Sequence, residues 1–232
     1  MKLTNIIEIS AKLVLKTGLH IGAGDSEMHI GGVDNTVIKN PHTQSPYIPG
    51  SSLKGKIRSL LEWRSGEVKA DPLKLKDVDT ANDKDAVKNI LRLFGVTGDS
   101  KNDESLLKEL GVSRLAFWDC NLNSEWEEKI KSDNLSLTEA KSENTINRIT
   151  ATADNPRQTE RVPAGAEFDF KLTVRQFEGD SKELVELVLK GLRLLELDSL
   201  GGSGSRGYGK VEFQGLKVAG KERSLSEINP FA

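Results

Sequence analysis

Gly201-Gly202-Ser203-Gly204-Ser205-Arg206-Gly207-Tyr208-Gly209-Lys210 sits between two patterned segments, and the order of those segments decides the fold. Glycines at this density let the backbone turn sharply and expose its N–H groups to a partner that must approach closely, and a phosphate chain suits such groups. Gly202, Gly204 and Gly207 satisfy G-x-G-x-x-G, but a dinucleotide site needs a strand before that motif and a helix after it. Here the order is reversed. The apolar, helix-length run 184–197 precedes the glycines, and Lys210-Val211-Glu212-Phe213-Gln214-Gly215-Leu216-Lys217-Val218 follows with partial strand alternation. A nicotinamide or flavin site is disfavoured for that reason. The spacing from Gly204 to Lys210 mimics a P-loop, yet Val211 stands where a Ser or Thr would bind magnesium. What remains is a helix-to-strand glycine loop, either a phosphate cradle or a mobile surface turn.

Upstream, Ile48-Pro49-Gly50-Ser51-Ser52-Leu53-Lys54-Gly55-Lys56-Ile57-Arg58-Ser59-Leu60-Leu61-Glu62-Trp63 reads as a helix entered through a Pro-Gly turn, with Ser51 or Ser52 as N-cap. Leu53, Ile57, Leu60 and Leu61 recur at helical spacing and form its buried stripe, while Lys54 and Arg58, four apart, share another face. Capped N–H groups, the positive end of the helix dipole and two cations converge there, which is an anion site in physical terms. A solvated basic face is the plainer reading of the same residues.

The remaining elements complete the order. Alternation at Ile7, Ile9, Ala11, Leu13 and Leu15 predicts a first strand, residues 113–122 a second, and 167–177 a third, the last from Phe168, Phe170, Leu172 and Val174. Residues 182–197 predict a second helix and 209–218 a final strand. The result is an α+β fold with a ferredoxin-like, RRM-like β-α-β-β-α-β core, an arrangement that also underlies RNA-recognition modules. Residues 66–112 mix both charge signs, with Asp71-Pro72, Asp77, Asp79 and Asp83, and predict a solvated helical insertion around one short helix near 85–94. Residues 140–166 carry Arg148, Arg157 and Arg161 around a polar turn and predict a protruding hairpin.

Composition bounds the function. A chain of 232 residues can bury a sizeable core in one domain with insertions. Apolar runs are too short to span a bilayer, and one cysteine suits a reducing compartment, so the expected location is cytoplasmic, with no membrane partner. The formal net charge of -2 argues against coating nucleic acid by bulk charge, so any RNA site must be local. With only 5% aromatic residues the chain shows no recognisable base-stacking motif, which shifts recognition toward phosphates and backbone. Cys120 stands alone and the three histidines lie apart, so no zinc staple is supported.

Several segments taken together carry a resemblance. Gly18-Leu19-His20-Ile21-Gly22, Gly31-Gly32-Val33-Asp34-Asn35, residues 48–58, Arg92-Leu93-Phe94-Gly95, Ile146-Asn147-Arg148-Ile149-Thr150, residues 155–165 and the glycine loop follow one another as in the RAMP proteins of CRISPR systems. Among these the chain resembles the repeated backbone subunit of the type III-A (Csm) interference complex, nearly end to end. Read from its residues alone, Asp34 is a turn residue, with no second carboxylate at helical spacing and no Ser-His-Asp or Cys-His set to join it.

The resemblance implies more. It makes residues 18–48 a lid and catalytic loop, Asp34 the catalytic residue and candidate metal ligand, and 140–166 a thumb that wedges into the guide–target duplex. It implies RNA contacts from His20, Ser51, Lys54, Arg58, Arg148, Arg157, Arg161, Gly202, Ser203, Gly204 and Arg206, with His20 either touching RNA or assisting catalysis. The implied activity is metal-dependent cleavage of crRNA-paired target RNA at regular intervals, with a divalent ion, Mg2+, assisting attack by the adjacent 2′-hydroxyl. The implied partners are crRNA, target RNA, further copies of the chain and other Csm subunits, including the large polymerase-like one. Two alternatives stay open: a non-catalytic crRNA-binding scaffold, and a RAMP endoribonuclease that processes precursor crRNA.

Overall fold

Successive side chains of an extended chain point to opposite sides, so the alternation near the N-terminus makes a strand with two unlike faces. In the computed structural model, which describes residues 2–24, 35–96 and 104–232, that strand is β1 (Leu3–Leu15), with Ile9, Leu13 and Leu15 buried on one side. There follow β2 (Tyr47–Ile48), α1 (Gly50–Ser65), α2 (Asp77–Thr80), α3 (Lys84–Phe94) and α4 (Glu104–Leu110). Next come β3 (Leu115–Phe117), β4 (Cys120–Asn121), α5 (Ser124–Ser132), β5 (Glu139–Ile146), β6 (Ala153–Arg161) and β7 (Glu167–Phe177). The order closes with α6 (Glu183–Leu197), β8 (Val211–Val218) and β9 (Lys221–Glu222). Among the described residues no helix is long and apolar enough to cross a membrane.

The main sheet runs β3-β7-β1-β8-β9, with β1 antiparallel to both β7 and β8 and β3 antiparallel to β7. Reading β1, α1, β3, β7, α6 and β8 gives β-α-β-β-α-β with the first strand central, which is the ferredoxin-like core expected from the sequence. Ile9 faces Leu172 and Leu13 faces Phe168 across the β1–β7 ladder, all four buried. Helices α1 and α6 cover this apolar face. A Cβ at Gly191 of α6 would sit 2.7 Å from the Ile57 Cγ2 of α1, so the missing side chain sets how closely the helices approach. The opposite face is polar, crossed by Lys12–Glu167 at 2.8 Å, Lys171–Glu8 at 2.6 Å and Lys16–Glu212 at 3.2 Å. Exposed pairs of this kind contribute little stability, and the face offers no aromatic platform for bases.

Two expectations need correction. Residues 113–122 are not one strand: β3 ends at Phe117, and β4 pairs with β2 in a separate two-stranded sheet. The break at Trp118 and Asp119 lets the Asp119 carboxylate accept the Gly50 N–H at 2.8 Å. Nor is the 66–112 insertion simply solvated. Leu73, Leu75, Val78, Val87, Ile90, Leu91, Leu93 and Phe94 join the core, because α3 carries an apolar stripe beneath its charged face. The insertion is also pinned at its far end, where Arg114 binds Asp180 through Nε at 2.8 Å and Nη2 at 2.9 Å, both side chains under 10% exposed.

Candidate nucleic-acid interface

The glycine loop is stitched to the segment that follows β1. Gly202 donates its N–H to the His20 carbonyl at 3.0 Å, and Gly209 to the Gly18 carbonyl at 2.9 Å. Gly201 and Gly209 both hold φ near +74°, and a Cβ there would lie 2.4 Å from the His20 oxygen and 1.9 Å from the Leu200 oxygen respectively. Those two glycines are demanded by the fold itself. Between them Ser203, at φ 62, opens a 3-10 turn over Gly204–Arg206. The N–H groups of Ser203, Gly204 and Ser205 make no hydrogen bond among the described residues. Successive free N–H groups in an αL-then-αR turn form a concavity of positive potential suited to an anion. The loop is packed at its base; at its crown Ser203 and Gly204 are half-buried, with a Cβ at Gly204 meeting the Ser199 Oγ at 2.1 Å, while Ser205 and Arg206 are exposed.

Beside it, the His20 Nδ1 lies 2.7 Å from the Glu160 carbonyl oxygen. A carbonyl can only accept, so Nδ1 carries the proton and Nε2 is left available. The side chain of Glu160, a residue 8% exposed, accepts from the Val37 N–H at 2.9 Å, Lys39 Nζ at 2.6 Å and Thr138 Oγ1 at 2.7 Å. Burial pushes this carboxyl up, but Lys39, Thr138 and the Val37 N–H outweigh it and hold it below the ordinary carboxylate range. The Glu160 N–H donates to the Asn35 carbonyl at 2.9 Å. One residue thus ties residues 35–39, His20 and the root of the hairpin together.

The hairpin meets the glycine loop around Tyr208, which is 1% exposed. Lys141 Nζ lies 4.4 Å from its ring centroid and Arg161 Cζ 5.1 Å. Arg206 Nε approaches Glu143 Oε2 at 3.2 Å and Arg157 Nε the same oxygen at 3.8 Å. Burial raises the Glu143 carboxyl, and the Tyr208 hydroxyl, Arg206 and Lys141 more than reverse it. Arg161 Nε also binds Glu139 Oε1 at 2.7 Å. Four cations from β5, β6 and the loop crowd one corner of a chain whose net charge is -2, so the local charge that RNA binding requires is present here.

The family model of the RAMP superfamily matches residues 12–212. The chain belongs to the RAMP superfamily. This RAMP protein is 42% identical over 220 residues to the CRISPR system Cms endoribonuclease Csm3 of Methanothermobacter thermautotrophicus, covering 90% of this chain and 84% of that relative. It is 44% identical over 218 residues to the protein of the same name from Streptococcus thermophilus, covering 91% and 89%. The crystal structure of the Csm3–Csm4 subcomplex in the type III-A CRISPR-Cas interference complex matches with a TM-score of 0.56 and 29% identity, over 94% of this chain and 80% of that one.

In this RAMP chain His20, Arg157, Arg161, Gly202, Ser203, Gly204 and Arg206 come together at one corner. Arg148 does not: it is exposed near the hairpin turn beside Ile149, which is 96% exposed. Asp34 lies outside the described residues, as does the 25–34 stretch of the expected lid. The helix start departs from expectation in two ways. Neither Ser51 nor Ser52 caps α1. The N-cap is Pro49, without a side-chain cap bond, and the Asp119 carboxylate already occupies the positive end of the helix. Arg58 is a structural residue, 8% exposed, with Nε on Glu62 Oε1 at 2.8 Å and Nη2 on the Leu73 carbonyl at 2.7 Å. At four residues from Lys54 it is rotated by about 40°, enough to enter the seam where the insertion packs. Lys54 keeps a half-buried place with no ion pair among the described residues.

Sequence reasoning missed Tyr208, Lys141, Glu143 and Glu160. An aromatic between two glycines, and a carboxylate between Thr159 and Arg161, were the available signals. Cys120 is buried, and burial pushes its thiol up to about 12, which removes it as a nucleophile.

Proposed function

We propose that this chain is a backbone subunit of a type III-A CRISPR ribonucleoprotein that holds crRNA along its length and cleaves the target RNA paired to it. The observation that carries the reading is the crown of the glycine loop, with three N–H groups in a row that make no hydrogen bond among the described residues, set among Arg206, Arg157, Arg161 and Lys141. These donors address phosphates and read no bases, as a protein that accepts guides of any sequence requires. The similarity to endoribonucleases of CRISPR systems favours a cutting subunit over a passive scaffold. Further copies of the chain and the other Csm subunits, including the large polymerase-like one, complete the particle.

In the proposed reaction the target's 2′-hydroxyl loses its proton and its oxygen attacks the adjacent phosphorus, while the P–O5′ bond breaks and the 5′-oxygen takes up a proton, giving a 2′,3′-cyclic phosphate and a 5′-hydroxyl. His20, with its proton fixed on Nδ1, offers Nε2 to the RNA. Asp34 would bind a divalent ion or orient the attacking 2′-hydroxyl, and the Glu160 network holds the chain that follows it. Among the described residues no group of three or more His, Cys, Asp or Glu side chains could hold a metal. A magnesium ion would be held by Asp34 together with RNA phosphate oxygens, as this ion commonly is by one or two carboxylates plus substrate phosphates, and would supply charge neutralisation at the reacting phosphate. Reconstitution with crRNA, the other Csm subunits and a complementary target tests the assignment. Cuts recurring at a constant interval, one per copy, are expected; an intact target in a particle that retains its crRNA would contradict cleavage.

A further inference from the structure

Glu143 is held in an unusual way for a residue on an exposed hairpin. Its side chain is only 11% exposed and its Oε2 has no hydrogen-bond partner, although Arg206 Nε stands 3.2 Å away and Arg157 Nε 3.8 Å away. Lys141 Nζ lies 3.4 Å from the other oxygen. The buried Tyr208 hydroxyl interacts with the Glu143 carboxyl but makes no hydrogen bond of good geometry. Buried polar atoms are nearly always well hydrogen-bonded, so two poorly satisfied atoms among three cations mark a place that its present occupant fills imperfectly. A carboxylate offers two oxygens in one plane, whereas a phosphodiester offers its oxygens tetrahedrally and can reach donors on several sides. The Arg206 of this ring belongs to the 3-10 turn that carries the free Gly204 and Ser205 N–H groups.

The backbone under Glu143 can give way. β5 and β6 form a two-stranded sheet of their own, and their register shifts between Glu143 and Thr145. An isolated two-stranded ribbon with an irregularity at that point is a low-stability element.

We propose that Glu143 is an internal latch: in the RNA-free chain its carboxylate takes the place of an RNA phosphate among Arg206, Arg157, Lys141 and Tyr208, fastening the hairpin to the glycine loop, and a phosphate displaces it on binding. The inference rests on the RNA reading given above. The latch keeps a half-exposed cation cluster neutralised until RNA arrives. It also lowers the apparent affinity, because the binding-competent arrangement is only part of the free population. The opposite role, a fixed support that aims Arg206 at the RNA, predicts the opposite sign on substitution.

The test uses the full chain, Glu143→Gln, and Asp154→Asn as a control that removes one negative charge elsewhere on the same hairpin. The probe is a synthetic single-stranded RNA of mixed sequence, titrated over a series of salt concentrations. The latch predicts that Glu143→Gln binds roughly three- to tenfold tighter, with a salt slope steeper by about one, while Asp154→Asn changes affinity by less than about twofold. Glu143→Gln binding equally or more weakly overturns the latch and makes Glu143 a support. An equal gain in Asp154→Asn overturns it as bulk charge. A wild type that fails to bind the probe overturns the RNA site itself and the latch with it. A second measurement needs no substitution: the carboxyl-carbon resonance of Glu143 should move toward a solvent-exposed value when wild type is saturated with RNA, and an unmoved resonance contradicts displacement.

Discussion

His20 and Glu160, 140 residues apart in the chain, are joined by a 2.7 Å hydrogen bond from the imidazole Nδ1 to the backbone carbonyl. The same Glu160 binds Val37 and Lys39 through its side chain, so the histidine and the segment after Asp34 share one anchor. Glu160→Ala should cost about 1–3 kcal/mol of folding stability, because buried donors lose their acceptor. It should also slow target cleavage more than it weakens crRNA retention, with Glu160→Gln recovering part of both. Denaturant melts and single-turnover cleavage measure the two effects; an Ala variant with unchanged cleavage would remove the anchor from the site.

Arg58 and Lys54 separate stability from binding. Arg58→Ala strands Glu62 in the core and should destabilise the chain by about 3–5 kcal/mol. Lys54→Ala should leave the melting temperature within about two degrees, in line with a surface change, while weakening RNA binding alike for all sequences and flattening the salt dependence. Equal melting temperatures for the two variants would contradict this division.

The glycine loop divides similarly. Gly209→Ala forces a Cβ to 1.9 Å from the Leu200 oxygen at φ 74 and should unfold the loop. At Gly202 a Cβ would find its nearest neighbour at 3.7 Å, an ordinary contact. Gly202→Ala should therefore keep native circular dichroism and thermal stability, and any loss of RNA retention would come from the partner's side. Full retention by a bulkier Gly202→Val variant would argue that no RNA approaches this glycine.

Acid should loosen the Arg114–Asp180 clamp and the Glu160 anchor. Burial raises the Asp180 carboxyl, but the Arg114 hydrogen bonds, the Phe177 N–H and the Arg114 charge outweigh it and hold it low; Glu160 is also held low. A carboxyl that binds its proton less readily when folded than when unfolded adds stability that is full above the ordinary carboxylate range, about pH 4. That stability is lost as pH falls through the folded value. Urea midpoints should be level from neutral pH to about pH 5 and drop in stronger acid. Asp180→Asn should be weaker at neutral pH and flatter in acid, and a midpoint that rises on acidification would contradict the assignment.

The core topology was legible because its signals are local and periodic: β7 was readable from Phe168, Phe170, Leu172 and Val174, and α6 from its apolar run. The glycine loop was legible for the same reason, as an interruption between two periodic segments. Arg58 was misread because sequence spacing gives a face of a helix but not what packs on it; Leu73 and Gly95 come from the insertion. Asp119 capping α1, and the gathering of Lys141, Glu143 and Arg206 at Tyr208, depend on which loops meet in three dimensions, and no spacing rule encodes that. Glu160 was passed over because a carboxylate inside a basic hairpin reads as solvated until its three partners are seen.

The central claim is that this subunit cuts RNA at Asp34, and single-turnover cleavage by the assembled particle tests it directly. Particles carrying Asp34→Ala should assemble, keep their crRNA and bind complementary target with near-normal affinity, because the lost carboxylate acts mainly in the transition state. Their cleavage should fall by orders of magnitude, chelation of divalent ions should silence the wild type, and a 2′-deoxy substitution at each expected cut should protect the target. Cuts by the Asp34→Ala particle at the same positions and a comparable rate would contradict the account.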